Sequence, residues 1–258
     1  MIDFDEGAAK GLERVYSTPD VVAQRARFLD ALDLRPGERV LDVGVGPGLL
    51  AHSMAKIVGE SGRVAGVDLS KPMLAMTSAR CSEQPWTEFL ESDAAKLPFP
   101  DEQFDAVVST QVYEYVTEIE SALSEAFRVL RSGGRILILD TDWDSVVWNT
   151  SDRDRMRRVL DVWDQHLHDS HLPATLGRRL EEAGFRLVRQ EVIPILNPAL
   201  HVETYSFGIM FAIQNFVAAK GGDSEKDARE WAAELRSLGE ADRYFFSINR
   251  YLFVAVKP

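Results

Sequence analysis

The stretch Val40-Leu41-Asp42-Val43-Gly44-Val45-Gly46-Pro47-Gly48 decides the fold. Val40 to Val43 is a short apolar run broken by one acid, the pattern of a strand buried on both faces of a parallel sheet. Glycines then follow at every second position, and Leu49 to Ile57 reads as a helix. Strand, glycine turn and helix in that order bring bare backbone to a helix N-terminus, where no Cβ keeps a ligand away.

The spacing of the glycines selects the ligand. A dinucleotide loop needs glycine at its first, third and sixth positions, and counted from Gly44 the sixth is Leu49, so the NAD reading loses the glycine that lets the helix pack closely. Asp42 adds an acceptor that repels a phosphate and attracts an ammonium. Val64-Ala65-Gly66-Val67-Asp68 is a second apolar strand ending in an acid, where a ribose-binding carboxylate belongs in such folds. An amino-acid ammonium at one end and a ribose diol at the other describe S-adenosylmethionine better than NAD.

On these residues the chain resembles the class I S-adenosylmethionine-dependent methyltransferases, in the branch that includes the ubiquinone and menaquinone C-methyltransferases. The resemblance rests on Val40 to Gly48, Gly66 to Asp68, Glu91 to Phe99, Phe104 to Ser109 and Arg128 to Arg135, in family order over roughly residues 20 to 140. Val45 departs from it, standing where the family has a smaller residue, and makes the loop tighter. The resemblance implies a Rossmann-like, doubly wound α/β fold with a mainly parallel seven-stranded sheet and an antiparallel last strand. It implies S-adenosyl-L-methionine as cofactor and S-adenosyl-L-homocysteine as product. Gly44, Gly46 and Gly48 then form the binding loop, with Asp42 near the ammonium and Asp68 on the ribose. Leu69 lies on the adenine face or, alternatively, in the core. Asp93 accepts the adenine amino hydrogen beside the Ala94 amide, or else caps a helix. Ser109 and Gln111, where the fourth strand runs out, face methionine and acceptor, since ligands of open sheets bind at the carboxyl ends of strands.

Composition narrows the partners. The 258 residues are 45% hydrophobic, enough for one α/β domain with added segments. A net charge of −12 repels a phosphate backbone, and the Arg153 to Arg158 cluster is diluted by Asp152, Asp154 and Asp161, so nucleic acid is not the expected partner. Cys81 is the lone cysteine, no Cys/His set has zinc spacing, and no apolar run reaches membrane-spanning length. The acidic start Met1 to Glu6 is unlike a signal peptide, which points to a cytoplasmic setting. A homodimer is compatible with the sequence, which fixes no oligomeric state.

Outside the core the chain divides readily. Residues 1–19 form a loosely structured arm, with Tyr16 as a lid over the cofactor or as an anchor packing on the first helix. Residues 20–140 are the cofactor core, continued by 173–196 and by the last strand in 243–258. Two insertions, 141–172 and 197–242, leave the cofactor rim, and the second is too long for a bare loop. Its predicted helices are Val202 to Ala219 and Ser224 to Leu238. Together the insertions predict a helical cap that closes over a small-molecule acceptor.

Methyl transfer from a sulfonium is a backside displacement, for which a protein supplies alignment in a dry pocket; a metal is not obligatory. A base is needed when the acceptor carries a proton. His166 and His171 are the candidate pair, because histidine titrates near neutrality and Trp143, Trp148 and Trp163 could wall a pocket around them. Tyr113 could orient the acceptor by hydrogen bonding. Without an unmistakable base, the alternative is a protein that binds the cofactor but transfers no methyl group.

Overall fold

The computed structural model describes residues 6–258. The chain runs α1 (Glu6–Tyr16), α2 (Pro19–Leu32), β1 (Arg39–Val43), α3 (Leu49–Val58), β2 (Arg63–Asp68), α4 (Lys71–Arg80), β3 (Thr87–Glu91) and β4 (Phe104–Thr110). It continues with α5 (Ile119–Val129), β5 (Leu130–Trp148), α6 (Arg153–Trp163), α7 (Pro173–Glu182), β6 (Arg186–Asn197), α8 (Tyr205–Ala218), α9 (Gly222–Glu240) and β7 (Phe246–Val256). The strands form one sheet in the order β3-β2-β1-β4-β5-β7-β6, and only β7 is antiparallel to its neighbours. This is the doubly wound sheet expected from the sequence.

Apolar rows explain both faces of the sheet. Leu41, Val43, Val107, Ile136 and Ile138 pack with α5 and α7 on one side. Val40, Val64, Ala106, Val108, Leu137 and Leu139 pack with α2 and α3 on the other. Chain order reverses between β1 and β4, which lie side by side with Val43 opposite Ser109. In such sheets that reversal opens the ligand crevice at the strands' carboxyl ends.

Two expectations change. Residues 1–5 of the expected arm lie outside the described residues, and the rest is not loose: α1 is helical to Tyr16, and Glu13 ion-pairs with Arg80 on α4. The first insertion does not begin as a cap segment, because β5 extends through Trp148 and pairs there with β7, Trp148 opposite Phe246, after a register break between Asp142 and Val147. Asp140 to Ser145 is too polar to look like a strand; the partner supplied by β7 overrides that local preference.

The insertions build a second core. Trp148 stacks edge-on against Trp231 of α9 at 5.1 Å and lies 4.6 Å from the Phe246 ring. Val159, Ile209, Met210, Ile213 and Leu235 fill the space around them, joining α6, α8 and α9. Asp20 on α2 ties this layer to the sheet, accepting the Tyr205 amide and the Asn197 side-chain amide, each at 2.8 Å.

Candidate active site

The glycine turn between β1 and α3 is held from beneath. The Gly44 and Val45 amides donate to the Val67 carbonyl at 2.8 and 2.9 Å, and the Gly46 amide donates to the Asp68 carboxylate at 2.9 Å. Gly44 has φ +73°, and a Cβ there would lie 2.2 Å from Val112. Gly46 has φ +53°, and a Cβ there would project into space with no atom nearer than 4.0 Å. With these amides already engaged, the turn offers no free nest for a pyrophosphate.

The charged groups around the turn are arranged for a zwitterion. Asp42 is 2% exposed and its Oδ2 has no partner. Burial, reinforced by Asp68, pushes its carboxyl well above the ordinary range. Arg25 donates to the Tyr16 carbonyl at 2.6 Å and forms no ion pair among the described residues. Asp42 and Arg25 line one cavity of about 70 Å³ with Tyr16, Gly44, Gly46 and Gln111. An ammonium suits the first and a carboxylate the second. Asp68 accepts from the Gly46 and Ser70 amides, one on each oxygen at 2.9 Å, which leaves lone pairs for a ribose diol.

The remaining cofactor positions fall on the same rim. Leu69 is 58% exposed beside Asp68, so it is not a core leucine. Ala94 is buried, while Asp93 is exposed and its carboxylate accepts the Ala95 amide at 2.8 Å within a turn, with no helix following for it to cap. Ser109 is buried and donates to the Val43 carbonyl, locking β4 to β1 at 3.0 Å. Gln111 has φ +60°, uncommon outside glycine, and its amide groups are pinned to the Leu139 carbonyl. Tyr16 lines the cavity, and burial raises its phenol pKa against the opposing charge of Arg250.

Residues 41–138 match the family model described as a methyltransferase domain. They form a class I S-adenosylmethionine-dependent methyltransferase domain. A ubiquinone/menaquinone biosynthesis C-methyltransferase of Vibrio vulnificus is 34% identical over 142 residues, 54% of this chain and 52% of the relative. The chain spans about half the length of the curated relatives it matches. Among solved structures, Haemonchus contortus phosphoethanolamine N-methyltransferase 2 in complex with S-adenosyl-L-methionine superposes with TM-score 0.65 at 20% identity, covering 99% of this chain and 58% of that one. The cyclase SpnF superposes with TM-score 0.60 at 23% identity over 92% of this chain and 82% of its own. Both share the domain's fold. The methyltransferase domain takes S-adenosylmethionine as its cofactor, and Asp42, Arg25 and Asp68 fit its three polar ends.

The expected catalytic residues face different surroundings. His166 is buried between Trp163, Trp143 and Phe216, with ring centroids at 3.8, 6.3 and 5.5 Å. Its Nδ1 donates to the Trp163 carbonyl, so Nε2 is an acceptor without a partner, and burial lowers its pKa to about 4. His171 is instead half exposed, bound to Asp142 at 2.8 Å and 3.4 Å from Asp144. The two histidines therefore do not share one walled pocket, and Trp148 packs against Trp231 and Phe246 rather than against either. Tyr113 is fully buried in the sheet's lower core with its hydroxyl unpartnered. No helix among the described residues is long and apolar enough to cross a membrane.

Sequence reasoning missed Glu114, Asp140 and Arg250, which lie buried, Arg250 between Gln24 of α2 and Tyr205 of α8. A signal for Arg250 was present. Phe246, Ile248, Arg250 and Leu252 form the inward row of β7, and a lone arginine in such a row needs a buried partner.

Proposed function

We propose that the chain transfers a methyl group to a small organic acceptor held beneath α6, α8 and α9. The reading is carried by a set of buried, unpartnered polar atoms, Glu114 Oε2, Asp140 Oδ2 and Arg250 Nε, gathered between the cap and the cofactor crevice. Bound S-adenosylmethionine supplies an electrophilic methyl group on a sulfonium. The residues of this chain supply its position: Asp42 meets the ammonium, Arg25 the carboxylate and Asp68 the ribose. Leu69, Asp93 and Ala94 bound the adenine, and Ser109 and Gln111 fix the edge nearest the acceptor.

Loading requires movement. A cavity of about 70 Å³ is far below the ~300–1,000 Å³ of ordinary ligand sites, so α1 swings with Tyr16 as a lid. Once the lid closes, exclusion of water strengthens every charge interaction inside. His166, held neutral by burial with its Nε2 unpartnered, offers a hydrogen-bond acceptor rather than a strong base; Tyr113 and His171 act by holding the floor and the rim. The relatives point the same way, since the names of the Vibrio and Haemonchus proteins refer to small molecules.

Calorimetry with S-adenosylhomocysteine, followed by incubation of methyl-labelled cofactor with a small-molecule cell extract, tests this reading. We expect saturable binding and label transferred to a low-mass product. Binding without any labelled product would instead favour cofactor use without methyl transfer, for which SpnF, a cyclase on the same fold, is the precedent.

A further inference from the structure

Arg25 on α2 and Arg250 on β7 both line the cavity beside the glycine turn, together with Asp42, Gln24 and Gln111. Neither arginine forms an ion pair among the described residues. Arg250 is 1% exposed, and its close partners are uncharged. Its Nη1 donates to Gln24 Oε1 of α2 at 2.5 Å, the guanidinium lies 4.7 Å from the Tyr205 ring centroid, and Nε has no partner. Glu114 and Asp140 act on Arg250 through their charge, but neither is among the residues that line the cavity. Burial pushes the Asp140 carboxyl up to about 7 and that of Glu114 well above its ordinary range, which draws both towards the neutral acid.

Counting charges in the cavity leaves one cation over. The carboxylate of S-adenosylmethionine answers Arg25 and its ammonium answers Asp42, whereas nothing in the cofactor's amino-acid end is left for Arg250. A guanidinium does not give up its proton, so Arg250 stays charged. A buried cation without a counter-ion is costly, and proteins tolerate one where a ligand completes the pair. The missing group is therefore an anion, and a singly charged one. Arg25 is committed to the cofactor and the amides of Gly44, Val45 and Gly46 are already engaged, so no further donors remain for a phosphate. Gln24 occupies Nη1 and the open Nε lies on the other edge of the guanidinium fork, the edge that a carboxylate meets with two parallel hydrogen bonds.

Resting on the methyl-transfer reading above, we propose that Arg250 determines acceptor specificity by holding a carboxylate, so that the substrate class is a small monocarboxylic acid. Its role is to anchor, since the guanidinium neither gives nor takes a proton. The Gln24 amide and the Tyr205 ring fix Arg250 before the acceptor arrives, so that little freedom is lost when the acid binds. These three residues stand on α2, α8 and β7, which places the anchor where the sheet meets the inserted helices.

The test uses benzoate, with benzamide as its neutral isostere, titrated calorimetrically into the full chain saturated with S-adenosylhomocysteine. Wild type is expected to bind benzoate about tenfold or more tightly than benzamide, the ratio set by a charge-assisted pair. Arg250→Gln, checked for an unchanged melting profile, should bind S-adenosylhomocysteine as wild type does and lose the preference for benzoate. Arg250→Lys, which keeps the charge but not the fork, should keep part of it. A wild-type protein that binds benzoate no better than benzamide, or binds neither, overturns the inference without recourse to any variant. So does inorganic phosphate that displaces benzoate at equal concentration, or an Arg250→Gln variant whose loss falls on S-adenosylhomocysteine, which would give Arg250 to the cofactor. Failure of wild type to bind S-adenosylhomocysteine at all would instead refute the methyl-transfer reading beneath it.

Discussion

The glycine turn and the buried polar cluster of Arg250, Glu114 and Asp140 are built oppositely. In the turn, the backbone amides of Gly44, Val45 and Gly46 are engaged from below before any ligand arrives. In the cluster, Arg250, Glu114 and Asp140 each keep an unpartnered side-chain atom in the dry interior. The backbone of the turn is satisfied by the chain itself, whereas the side chains of the cluster are not. The turn uses residues adjacent in sequence, whereas α2, β4, β5, α8 and β7 must all be in place before the cluster exists. Stability and recognition should therefore respond separately to mutation.

The largest separation comes from the second core, built by α6, α8 and α9. Trp231 is fully buried against Trp148, so Trp231→Ala should cost about 3–5 kcal/mol in denaturant unfolding, the range for large aromatic truncations. The contrast between the two regions holds if S-adenosylhomocysteine still binds the folded fraction with near-native affinity. Gly46→Val works the other way. Its side chain enters space that no protein atom occupies, so cofactor affinity should fall roughly a hundredfold or more in calorimetry, while unfolding changes by only the ~1–3 kcal/mol of a strained φ. Normal binding by that variant would mean the crevice lies elsewhere. Asp68→Ala should weaken S-adenosylhomocysteine by about 1–3 kcal/mol, through the lost ribose contacts and the loosened Gly46 amide. An unchanged dissociation constant in a folded variant would remove the ribose assignment.

The same contrast explains what the sequence could and could not disclose. Val40 to Gly48 and Val64 to Asp68 each carry strand, turn and acid within a few residues, so local chemistry names the element and its ligand together. Tyr205 and Gln24 carry no such mark; they become neighbours of Arg250 only because β7 inserts between β5 and β6. The extension of β5 was hidden for a related reason, since Asp140 and Asp142 look like loop until β7 pairs with them. His166 and His171, five positions apart, were grouped by proximity in the chain. The turn between them sends one into the aromatic layer and the other to the surface.

The smallest effect tests the seam itself, where His171, just before α7, meets Asp142 on the extended β5. The hydrogen bond to Asp142 raises the histidine pKa above its ordinary 6.5, with Asp144 and Asp169 adding to it. A group whose folded pKa is raised stabilises the native state fully below the unfolded value, and that stabilisation fades as pH climbs through the folded value. The window therefore opens near 6.5 and closes at the raised pKa. Because the imidazole is half exposed, solvent screening limits the contribution to less than ~1 kcal/mol. His171→Asn should be slightly less stable than wild type below about pH 6, with the difference vanishing once pH has passed the raised value, in matched denaturant melts. A difference of the opposite sign, growing with pH, would mean that the imidazole is held neutral and that Asp142 does not anchor the extended strand to α7.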